Sequence, residues 1–156
     1  MKYNEKKAAQ VAAFFIFRQG DQIDTLKLMK LMYLAERHSF EKYGEPITGD
    51  RFFSMDHGPV LSSTYDHVNN MIDSCSDGWE AWISDREGHM LGLRKNGDNL
   101  MEQLTQLSDA DIEILEYTWK LYGHMTGVQL VRFTHEKCEE WEDPHGSSIP
   151  ISYKRL

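Results

Sequence analysis

The chain has 156 residues, 40% of them hydrophobic, 12% aromatic and 27% charged, with a net charge of −8 at neutral pH. That length suits one domain with a core of its own, and the aromatic content is too high for a disordered segment. The acidic balance argues against nucleic acid as the main partner, because backbone binding rests on clustered Lys and Arg; it fits a basic protein partner by electrostatic complementarity.

The opening Met1–Lys7 stretch is basic, but the apolar run after it, Ala8 to Phe17, is too short for a membrane span and shows no secretory cleavage pattern. Cys75 and Cys138 stand far apart, outside any CxxC pair. Free thiols in a reducing compartment are the ordinary reading of such cysteines, so a cytoplasmic location with no membrane contact is expected.

In chain order, Glu5 to Arg18 reads as a first helix stopped at Gly20. Its middle is apolar nearly all round, the pattern of a helix enclosed by others. Asp24 or Thr25 caps a second helix reaching about Tyr43, where Gly44 and Pro46 stop it. Leu28, Leu31, Met32 and Ala35 fall on one face of it at helical spacing. Lys27, Lys30, Arg37 and Glu41 fall on the other as a polar stripe, which Leu34 interrupts as an exposed anchor.

Ile47 to Met55 is a short extended piece. Pro59, suited to a first helical position, opens a third helix through Val60, Leu61, Tyr65, Val68 and Met71, and Ser74–Gly78 breaks it. Trp79 to Arg94 alternates as a β-hairpin turning at Arg86–His89, with Trp82 on its polar side as an exposed aromatic anchor. An isolated hairpin is marginal, so this one should lie on the helices or pair with Arg51–Ser54.

Polar Lys95–Asp98 separates the hairpin from two helices opened by capping boxes. Ser108–Asp111 starts one through Ile112, Leu115, Trp119 and Tyr122; Thr126–Gln129 starts a shorter one through Leu130, Phe133 and His135. Pro144, Gly146 and Pro150 make 141–156 an irregular tail on a domain spanning 1–140. The expected fold is mainly α within the α+β class. It is a single-domain bundle of about five helices with a small β-hairpin or short antiparallel sheet.

Chemistry is hard to find. The seven histidines include no pair with the spacing of a helical zinc motif, and His135 with Cys138 is an isolated HxxC. Cys138 lies among Glu136, Glu139 and Glu140, which raise a thiol's pKa instead of activating it. Asp56 and His57 are adjacent and cannot both face one reacting atom, and no serine elbow or P-loop accompanies them. No catalytic, metal-binding or cofactor-binding residue is therefore expected. The alternative of another class is a small hydrolase or metal enzyme using His57, His135 or Cys138.

Leu26-Lys27-Leu28-Met29-Lys30-Leu31-Met32-Tyr33-Leu34-Ala35 resembles the signature helix of the SocA-like antitoxin family, also called the Panacea domain. The similarity continues through Gly44-Glu45-Pro46, Phe52 and Phe53, Gly58-Pro59-Val60, Tyr65, Thr134-His135 and Trp141. It covers most of the chain and is weakest from Cys75 to Lys95. The motif positions carried over are Lys27, Lys30, Tyr33, Gly58, Pro59, Val60, Tyr65, His135 and Trp141.

The resemblance implies an antitoxin that neutralises a cognate toxin protein encoded beside it, usually by direct contact, in bacterial and prophage toxin–antitoxin pairs. It also admits a proteolytic adaptor that delivers the toxin to an AAA+ protease. Members often carry an added DNA-binding domain; there is no room for one before Glu5, so autorepression by this protein alone is not expected. Lys27, Lys30, Leu34 and Trp82 are the expected partner-contact residues, and an anchor on the hairpin would equally serve self-association.

Overall fold

The computed structural model describes residues 2–95, 97–146 and 148–152. Its helices begin and end largely where the local chemistry demands. Asn4 caps α1 (Glu5–Gln19) by accepting the Lys7 N–H, and Asp24 caps α2 (Thr25–Tyr43) by accepting the Lys27 N–H, each at 3.1 Å. Both expected capping boxes form, opening α6 (Asp109–Tyr122) and α7 (Gly127–Lys137). Three short helices, α3 (Ser62–Val68), α4 (Trp79–Trp82) and α5 (Leu100–Gln103), lie between them.

Two small antiparallel sheets complete the α+β architecture. One pairs β1 (Gln22–Asp24) with β4 (Met90–Gly92). The other has the order β3-β2-β5, with β2 (Phe52–Met55) central between β3 (Gly58–Leu61) and β5 (Ile149–Ile151).

Helix α2 is the axis of the molecule. It packs against α1, α6, α7 and β3, and every residue from Lys27 to Glu36 is buried. These neighbours enclose Lys27 and Lys30, so the expected polar stripe is only partly solvated: Arg37 is half-buried, and of the four residues Glu41 alone is exposed. Leu34 is 0% exposed and joins the core with Leu28, Leu31 and Met32 instead of standing out as an anchor. The alanines of α1, Ala8, Ala9, Ala12 and Ala13, are likewise buried in this core.

Three expectations are corrected by the β structure. Pro59 does not open a helix: it lies in β3 opposite Ser54, and the helix begins at Ser62. The reason is the two-residue Asp56-His57 turn, which folds β3 back on β2, and β3 is an outer strand, where a missing N–H is tolerated. The Trp79–Arg94 hairpin is also only partial. Ile83 bridges to Leu93 and Glu87 to Met90, but β4 pairs with β1 and not with Arg51–Ser54.

Its first residues wind into the one-turn α4. A strand would send Trp79 and Trp82 to opposite faces, whereas one helical turn buries both, each 3% exposed. Trp82 is thus a core residue with Lys95 over its ring, and the exposed anchor expected at that position is overturned. Finally, the tail is not irregular throughout. Ile149–Ile151 extends the sheet as β5, with Pro150 on its outer strand; the expected tail's residues 147 and 153–156 lie outside the described residues.

Candidate functional site

The motif-bearing residues converge on the place where α2, the β2–β3 turn and the end of α7 meet. Lys30 is 0% exposed, and its ammonium donates to the Pro59 carbonyl at 2.9 Å. Burial pulls the Lys30 pKa down to about 7. Removing an ammonium from water penalises the charged form, and a single carbonyl offsets only part of that.

Gly58 makes this approach possible. Its φ of +101° suits only glycine, and a Cβ there would lie 2.9 Å from Thr134 Oγ1, 3.0 Å from His135 Cδ2 and 3.2 Å from Lys30 Nζ. Val60, two residues on, is buried in β3 opposite Phe53. His135 stacks on Trp141 with ring centroids 4.2 Å apart, and the Trp141 indole N–H donates to the Met55 carbonyl at 2.8 Å. Burial, with Lys30 beside it, lowers the His135 pKa and favours the neutral ring.

A second part of the knot lies one turn further along α2. The Tyr33 hydroxyl donates to Glu140 Oε2 at 2.5 Å, and Arg37 Nε pairs with the same oxygen at 3.0 Å. Glu140 is itself buried. Burial and Glu140 together hold the Tyr33 hydroxyl protonated. The neighbouring Cys138 thiol is pushed up to about 12 by burial and by Glu140, which suits a packed thiol and disfavours the thiolate a nucleophile requires. Tyr65, the remaining motif residue, packs on the core from α3.

These groups tie α2, the β2–β3 turn and the C-terminal segment together, with Lys30, Tyr33 and Trp141 partnered inside the fold and His135 Nε2 buried without a hydrogen-bond partner. Asp56 and His57 form the exposed turn above them. Among the described residues, no group of three or more His, Cys, Asp and Glu side chains could hold a metal ion.

Of the four residues expected to contact a partner, none projects from the surface. Lys30, Leu34 and Trp82 are enclosed as described. Lys27 donates to the Gly123 carbonyl at 2.6 Å, lies 5.2 Å from the Trp119 ring and is buried along most of its stem. The physical reason is common to both lysines: the carbonyl at the end of α6 and the one on β3 draw them inward.

Two grooves offer accessible surface instead. One, of about 610 Å³, includes Leu26, Lys27, Met90, Met125 and Val128 and lies between the start of α2 and the start of α7. These two helix starts are pressed together at Gly127, where a Cβ would lie 2.6 Å from Asp24 Oδ1. The other, of about 440 Å³, lies between α2 and α6 and is lined by His38, Glu41, Lys42, Glu113, Ile114 and Tyr117. No motif residue lines the second groove.

The family model for the SocA-like antitoxin, Panacea domain, matches residues 28–142, and the chain belongs to that family. No curated protein and no solved structure matches the chain. The matched span takes in Lys30, Tyr33, Gly58, Pro59, His135, Glu140 and Trp141, and so the whole of the buried knot. None of the helices among the described residues is long and apolar enough to cross a membrane.

Proposed function

We propose that this domain is a cytoplasmic antitoxin that binds a cognate toxin protein and neutralises it by direct contact, without chemistry of its own. The observation that carries this reading is the family match over residues 28–142. The interior is consistent with it: Lys30 and Tyr33 find their partners inside the fold, and burial keeps the Cys138 thiol protonated. A neutralising module needs a stable scaffold and an accessible surface, and apolar side chains such as Tyr117, 51% exposed, and Leu121, 37% exposed, are available to bind.

Co-expression with the product of the neighbouring reading frame tests this. Growth should be restored, and the two chains should co-purify as a complex with the toxin intact. Absence of both rescue and complex would sink the reading. Toxin loss that requires an AAA+ protease would replace neutralisation by delivery to that protease.

A further inference from the structure

The α2–α6 groove lies outside the motif-bearing knot, and its composition is specific. Glu41 and Glu113 stand on its walls with Lys42 as the single cation among its lining residues. Of the acids on helix α6, Asp111 is paired with Lys7 and Glu116 with Arg18, and Glu113 is the one that faces the groove. The Lys42–Glu113 pair, at 2.8 Å, is exposed on both sides, so it is weakly held and open to replacement. Arg37 reaches Glu41 at 3.3 Å but is also engaged by the buried Glu140.

Aromatic surface surrounds these charges. Tyr117 lines the groove, Leu121 follows it one turn on, and Tyr43 adjoins through Lys42, whose ammonium lies 5.4 Å from the Tyr43 ring. All three are among the exposed large hydrophobic residues. His38 supplies a further element. Its Nδ1 lies 3.1 Å from Thr118 Oγ1, and the Thr118 hydroxyl donates to the Ile114 carbonyl. With the Thr118 hydroxyl proton directed at Ile114, the matching tautomer has His38 Nδ1 as donor and Nε2 as lone-pair acceptor. Burial lowers the His38 pKa and keeps the ring neutral in that role.

A carboxylate, a tyrosine face and a neutral imidazole acceptor around one small cavity form a set that recognises a guanidinium. The planar fork pairs with a carboxylate through two N–H bonds while its face stacks on an aromatic ring. The groove near Val128 shows no such bias, since Asp24 and Lys27 balance there.

We propose that the α2–α6 groove is the toxin-docking site, and that its occupant is an arginine-bearing segment of the toxin. In it the guanidinium displaces Lys42 from Glu113 and stacks on Tyr117. This rests on the antitoxin reading above, and the net charge of −8 favours the same sign of partner.

The test uses the full chain and the product of the neighbouring reading frame. A Glu41→Lys/Glu113→Lys double variant and a Tyr117→Ala variant are compared with wild type for affinity and growth rescue, with Val128→Asp as control. Unfolding by urea verifies that each variant is folded. Both groove variants should bind at least tenfold more weakly, and Val128→Asp should bind as wild type. A benzophenone side chain placed at position 117 should cross-link to an arginine-containing toxin peptide.

Wild-type rescue that survives both groove variants would overturn the docking site and leave the antitoxin reading standing. A cross-link to a segment without arginine, or lost binding only in Val128→Asp, would overturn it as well. Failure of wild type itself to bind and rescue would remove the antitoxin reading and the docking site with it.

Discussion

The knot around Lys30 and the groove between α2 and α6 share one helix and differ in nearly everything else. In the knot, polar side chains are buried and answered: Lys30 by Pro59, Tyr33 and Arg37 by Glu140, Trp141 by Met55. In the groove, Glu41, Lys42 and Glu113 form exposed, exchangeable pairs beside aromatic surface. A family signature can thus be a record of how a fold satisfies its own interior. A buried polar group without its partner costs more than an exposed one, so substitutions in the knot disturb the fold. The groove can vary without that penalty.

The largest effect is expected at Glu140. Glu140→Ala strands the buried Tyr33 hydroxyl and leaves Arg37 with Glu41 alone, and should cost about 3 kcal/mol in urea unfolding. A loss no larger than that of a surface change would mean the knot is not the support it is taken for. Gly58→Ala follows, at about 2 kcal/mol, from the left-handed backbone and the crowding against Thr134 and His135. Its midpoint in the same unfolding experiment decides the matter.

Lys30 sharpens the contrast through pH. Its pKa is about 7 in the folded chain against an ordinary 10.5, so between these values the unfolded chain holds more protons and stability rises with pH. From pH 7 to pH 9, stability measured against Lys30→Met should rise by about 2 kcal/mol. Above pH 9 the raised Cys138 thiol works in the opposite direction, because there the unfolded chain loses a proton that the folded chain keeps. A flat difference between pH 7 and 9 would show Lys30 to be solvated. The smallest effect belongs to the groove: Tyr117→Ala should leave the unfolding free energy within about 0.5 kcal/mol of wild type.

Much of the fold was legible locally. Asn4, Asp24, Ser108 and Thr126 announce helix starts because a short polar side chain there answers the free N–H groups of the first turn. What was not legible depended on distance in the chain. The stripe Lys27, Lys30, Arg37 and Glu41 has the spacing of a solvated face, and only α6, α7 and β3 closing over it make part of it interior. Trp82 misled for a related reason: alternation over a few residues does not separate a strand from one helical turn.

The motif residues were found in the sequence, but their meeting place was not, since Pro59 and Glu140 reach α2, and Trp141 reaches Met55, only through the fold. Glu140 was read as one of several acids near Cys138 and gave no sign that it alone turns inward. In the groove, Tyr117 and Leu121 had a usable signal. They lie four residues apart, outside the buried Ile114, Leu115 and Thr118 set of α6.

The most direct measurement is titration calorimetry of the purified domain with the product of the neighbouring reading frame, followed by sizing of the mixture. Saturable binding with both chains recovered intact in one complex is the expected result. No heat of binding and two separate chains, under conditions where that product is toxic to cells expressing the domain, would contradict neutralisation by contact.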